Sequence, residues 1–72
     1  MVPNLNRPEW ESMVKGTYTP KLTSLSLQLK LNALQLDLKL NKLDAKSAAT
    51  QLHDFCEANE NLVQKDLPVI FK

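Results

Sequence analysis

LTSLSLQLKLNALQLDLKLNKL, from Leu22 to Leu43, decides the fold, because it threads equally well as a helix or as a strand and only one of the two suits its side chains. At about 100° per residue, Leu22, Leu25, Leu29, Ala33, Leu36, Leu40 and Leu43 gather on one side of a helix. Leu27, Leu31, Leu34 and Leu38 gather on the opposite side. With a period of two, the same leucines alternate as a hairpin turning at Asn32-Ala33 would. Strands, however, favour β-branched and aromatic side chains, and none occurs from Ser24 to Leu43. Leu, Gln, Lys and Ala are good helix formers, and Asn-Ala lacks the glycine that a tight two-residue hairpin favours at its second position. The stretch reads as one leucine-rich helix over 22–43, apolar on two opposite sides.

A helix apolar on two sides needs two covers. The chain has 72 residues, one cysteine and one histidine, which leaves no intrachain disulfide and no ordinary zinc site to stabilise so small a domain. Oligomerisation is the remaining common route. Each fully buried leucine contributes roughly 1.5–3 kcal/mol, so leaving even the four-leucine stripe wet forfeits much of a typical domain's stability. The expectation is therefore an all-α protein that assembles as a homodimer or higher homo-oligomer. Its interface is assigned to Leu27, Leu31, Leu34 and Leu38.

Outward from the leucine helix, the remaining elements are set by punctuation. Residues 1–7 read as an extended polar arm. Residues 8–16 read as a short helix, with Pro8 in its first turn, Glu9 and Glu11 near its positive end and Gly16 as its stop. Pro20 ends the connector between this helix and the leucine run. Asp44, with Ser47 as the competitor, caps an amphipathic helix over 45–66, whose stripe is Ala45, Ala48, Ala49, Leu52, Phe55, Cys56, Leu62 and Val63. Asn59 interrupts that stripe, either as a break near Asn59 to Asn61 or as a single polar residue fixing register. Residues 67–72 form an apolar tail that folds back or docks on a neighbour. The whole is a single domain, a short helix followed by an antiparallel helical hairpin. Leu40-Asn41-Lys42-Leu43-Asp44-Ala45 resembles the helix-turn-helix junction of the Rop family, small plasmid RNA-binding proteins built from two helical hairpins. The likeness spans six residues, implies a hairpin, and carries over no RNA-contacting residue.

The chemistry-bearing residues are sparse. His53, Glu57 and Glu60 lie on one strip with Gln64, and a histidine and a carboxylate one turn apart can reach one divalent ion. The leucine helix, though, offers no inward glutamate to complete a di-metal site. Cys56 sits on an apolar stripe, where a free thiol behaves as a small hydrophobe. Gly16 is the only glycine, so no phosphate-cradling loop is present. No catalytic, cofactor-binding or metal-binding residue is assigned, and the chain is expected not to be an enzyme. Trp10, Met13, Val69, Ile70 and Phe71 are the candidate contacts for a protein partner, Trp10 otherwise closing one end of the leucine core. The alternative is a small RNA- or DNA-binding regulator that uses the edge Gln28, Gln35, Lys39, Lys42 and Lys46. A net charge of +1, a lone thiol and no apolar run near ~18 residues lead to the expectation of a soluble cytoplasmic protein with no membrane contact.

Overall fold

A computed structural model describes residues 2–72, and these residues form helices with no strand among them. In chain order they are α1 (Pro8–Lys15), α2 (Leu25–Lys39), α3 (Ala45–Ala58), α4 (Glu60–Val63) and α5 (Leu67–Ile70). α1 packs on both α2 and α3, its larger contact being with α3, and α2 also touches α4. The common core takes Trp10, Met13 and Val14 from α1, Leu27, Leu31 and Leu34 from α2, and Ala48, Ala49, Leu52 and Cys56 from α3. Val63, Leu67 and Ile70 close it from the C-terminal side.

The leucine helix is shorter than its sequence pattern. Ser24 is extended (φ −75°, ψ 117°) and its hydroxyl accepts from the Leu27 N–H at 3.4 Å, so the helix starts at Leu25 rather than Leu22. At the far end Asn41 adopts the left-handed conformation (φ 60°). Its N–H donates to the Leu38 carbonyl at 3.1 Å, and the Lys42 N–H to that of Asp37 at 2.8 Å. This is a Schellman-type close, which satisfies the last carbonyls and stops the helix. Leu22 and Leu43 thereby leave the outer stripe and pack, half-buried, against the core.

α1 matches its sequence signals. Pro8 opens it and Gly16 closes it in the left-handed region (φ 79°), with Gly16 N–H donating to Met13 and Thr17 N–H to Ser12. Of the expected extended arm over residues 1–7, Met1 lies outside the described residues, and residues 4–7 form a turn rather than an extended segment. The Arg7 N–H donates to the Asn4 carbonyl, and that same carbonyl accepts from Trp10 Nε1 at 3.0 Å, folding the chain back over the tryptophan.

The expected helix over 45–66 is two helices and a turn. Asp44 caps α3, its carboxylate accepting from the Ser47 N–H at 2.7 Å. At Asn59 the backbone leaves helical geometry (φ −127°, ψ 41°), and the Asn59 amide donates to the Phe55 carbonyl, capping α3 from within. The break rotates α4 relative to α3, so that Val63 is buried while Leu62, assigned to the same stripe, is 58% exposed. The tail folds back on its own chain as α5. Tyr18, from the connector after α1, donates its hydroxyl to the Ile70 carbonyl at 2.8 Å and holds α5 in place.

Candidate functional site

The two leucine stripes of α2 have opposite fates. Leu27, Leu31 and Leu34 are buried beneath α1 and α3, and Leu38 packs half-buried beside them. The other stripe has no cover within the chain: Leu25 is 67% exposed, Leu29 60%, Leu36 54% and Leu40 55%. The interface assignment from sequence is therefore corrected. The four-leucine stripe is the chain's own core, because α1 lies across it together with α3. The face left open is the one whose spacing groups it with Leu22 and Leu43.

That face is about as long as the shorter dimensions of the molecule. Fifteen helical residues span about 22 Å, against overall extents of 30 × 24 × 21 Å. Scattered exposed leucines are ordinary on a folded surface, whereas a contiguous apolar row is the usual mark of an interaction surface. Ala33, also exposed, continues the row between Leu29 and Leu36. Lys30 and Asp37 lie half-buried along one flank.

The partner-contact set is dispersed by the fold. Trp10, Met13 and Ile70 are fully buried, so they are core residues and present nothing to a partner. Trp10 packs edge-on to His53 with ring centroids 5.4 Å apart and tilted against Phe71 at 4.8 Å. Phe71 and Val69 are half-buried, and Arg7 lies 5.3 Å from the Phe71 ring centre. This cluster anchors the two chain ends on α1 and α3.

The lysine and amide edge is broken up as well. The Gln28 amide donates to the Leu22 carbonyl at 3.0 Å, and the Gln35 amide to that of Met13 at 2.9 Å. Both side chains are internal clips, one closing the entry to α2 and the other tying α2 to the end of α1. Lys39, Lys42 and Lys46 remain exposed, Lys39 on α2, Lys42 in the turn and Lys46 on α3.

Around His53 the structure gathers Asp54 and Glu57 rather than Glu60, which lies beyond the break. His53 Nδ1 is 3.1 Å from Asp54 and Nε2 3.7 Å from Glu57, and the donor atoms lie within 4.8 Å of one another. The two carboxylates are exposed, and the imidazole lies mostly buried against Trp10. Such pairs are common on helix surfaces. Cys56 is fully buried, and burial, reinforced by the negative charge of Asp66, pushes its thiol up to about 12. A thiol so far from its thiolate is a poor nucleophile.

Sequence reading missed Asp66. Its carboxylate is buried and accepts from the Thr23 N–H at 2.9 Å, the Thr23 hydroxyl at 2.7 Å and the Ser24 N–H at 2.8 Å. It sets the start of α2 and so the register of the exposed stripe. No local signal marks it, since its partners lie more than forty residues earlier. Comparison with family models, with curated proteins and with solved structures returned no match. No described helix is long and apolar enough to cross a membrane.

Proposed function

We propose that this chain is a small, non-catalytic protein–protein interaction module, an adaptor, regulator or accessory subunit of the cytoplasm that works as a homo-oligomeric helix bundle with the outer face of α2 as its joint. The observation that carries this reading is the uncovered row Leu25, Leu29, Leu36 and Leu40, on a helix whose opposite side is already locked into a closed core. Burying that row removes apolar surface from water without disturbing any packed contact, which is the favourable term in most protein association. The lone thiol suits a reducing compartment.

The test is sedimentation equilibrium of the wild-type chain and of the double variant L29E/L36E, with far-ultraviolet circular dichroism on both. The reading requires a concentration-dependent oligomer for the wild type. It also requires a monomer of unchanged helicity for the variant, since both positions are exposed. A wild-type chain that stays monomeric throughout overturns it.

A further inference from the structure

The outer row of α2 is symmetric end to end. Leu25 and Leu40 are centred on the bond between Asn32 and Ala33, and so are Leu29 and Leu36. At about 100° per residue the four fall within an arc of roughly 60°, so they form a narrow ridge. A ridge that reads the same in both directions matches a copy of itself turned end for end, which is the requirement of a two-fold interface.

The charges obey the same symmetry. Lys30 and Asp37 share one flank, and their midpoint lies within one residue of the leucine centre. Among the described residues neither has a side-chain ion pair within the chain. In a two-fold antiparallel pair each flank meets its own counterpart, so Lys30 of one copy faces Asp37 of the other, twice. On the opposite flank Lys39 comes level with Gln28, and Asn32 with Asn32, so no like charges oppose. A parallel pair sets the Lys30 flank against Gln28, Asn32, Gln35 and Lys39, where Lys30 meets no carboxylate.

We infer that the occupant of this face is a second copy of the chain, bound antiparallel through α2, with Leu25 against Leu40, Leu29 against Leu36, and reciprocal Lys30–Asp37 pairs flanking the dyad. This rests on the interaction-module reading above and specifies its geometry. One helix face, about 22 Å long and roughly 10 Å wide, contributes a few hundred Å² per copy, below the ~800 Å² per partner of a standard interface. The pair is correspondingly weak, and the flanking charges decide its direction more than its strength.

The test combines cross-linking with charge reversal across about 1 µM to 1 mM protein. Cysteines are introduced in a Cys56→Ala background. Leu25→Cys alone does not form a disulfide with its own copy, because antiparallel pairing places the two about 22 Å apart. A mixture of the Leu25→Cys and Leu40→Cys chains does. Lys30→Glu weakens association roughly tenfold, Asp37→Lys does the same, and K30E/D37K returns to within roughly threefold of wild type. Efficient self-linking of Leu25→Cys, or a double reversal no better than either single one, overturns the antiparallel pairing. If L29E/L36E still abolishes association in that case, the open face remains the joint and only the geometry is lost. A wild-type monomer at 1 mM removes the inference and the reading beneath it together.

Discussion

Asp66 keeps a carboxylate in the core because three donors converge on it: the Thr23 hydroxyl and the N–H groups of Thr23 and Ser24. Burial pushes its carboxyl up, but the hydrogen bonds from Thr23 and Ser24 outweigh that effect and hold it below the ordinary carboxylate value. The unfolded chain, with an aspartate near ~3.9, therefore takes up the proton first as pH falls. The stabilisation is complete above that value and is lost as pH drops through the lower folded one. Thermal melts should show a plateau from neutral pH down to about 5 and a decline below about 4. Asp66→Asn sets an amide N–H group against donors, and should lower stability by about 2 kcal/mol at neutral pH while making the acid decline shallower. Part of the decline will persist, because Arg7 holds Glu9 low and the Ser47 N–H holds Asp44 low. An Asp66→Asn melt matching wild type at neutral pH would mean that the clasp contributes nothing. Cys56 reports on the same core through its reactivity. Buried, with its thiol pushed up to about 12, it should resist iodoacetamide at pH 8 in the native chain and react readily in denaturant. Fast native alkylation would show that α3 opens locally.

At the scale of elements, two helix ends depend on left-handed backbone, and they differ in what a side chain would meet. A Cβ at Gly16 has nothing within 4 Å, so Gly16→Ala should carry only the backbone cost, about 1 kcal/mol, measurable by urea denaturation. Asn41, at φ 60°, is a residue that tolerates this conformation, so Asn41→Gly should be nearly neutral and Asn41→Ala destabilising by a comparable amount. Equal effects of Gly and Ala at position 41 would show that the left-handed turn does not limit α2. Gly16 as a stop, Asp44 as a cap and Asn59 as an interruption were all legible in the sequence, because each acts within four residues of itself. The start of α2 was not. Thr23 and Ser24 are held outside the helix by Asp66, and a periodic leucine pattern continuing back to Leu22 hides that tie. The same limit applies to the site. The two stripes of α2 are evident from spacing, but which one faces inward is decided by where α1 and α3 lie. Periodicity carries no information on that placement, so Leu27, Leu31, Leu34 and Leu38 were matched to a partner instead of to the core.

At the scale of the whole molecule, the closed core separates folding from assembly. In a bundle whose central helices are buried only between subunits, the monomer has no folded form and stability cannot be divorced from protein concentration. Here Trp10, Leu27, Leu34 and Leu52 are each 1% exposed or less within one chain, so a single copy has its own core before any partner arrives. The proposed assembly through the outer face of α2 would then add a second, concentration-dependent layer of stability. The midpoint of wild-type thermal unfolding should rise as protein concentration increases from micromolar to millimolar, because only the folded chain carries the ordered leucine ridge. L29E/L36E should melt cooperatively at a temperature independent of concentration, matching the wild type at its most dilute. A double variant unfolded at all concentrations would show that the folded state depends on burying the ridge and would make the chain an obligate oligomer. A wild-type midpoint that does not move would leave the ridge uncovered in solution, an apolar row some 22 Å long that the fold then exposes at a standing cost in solubility.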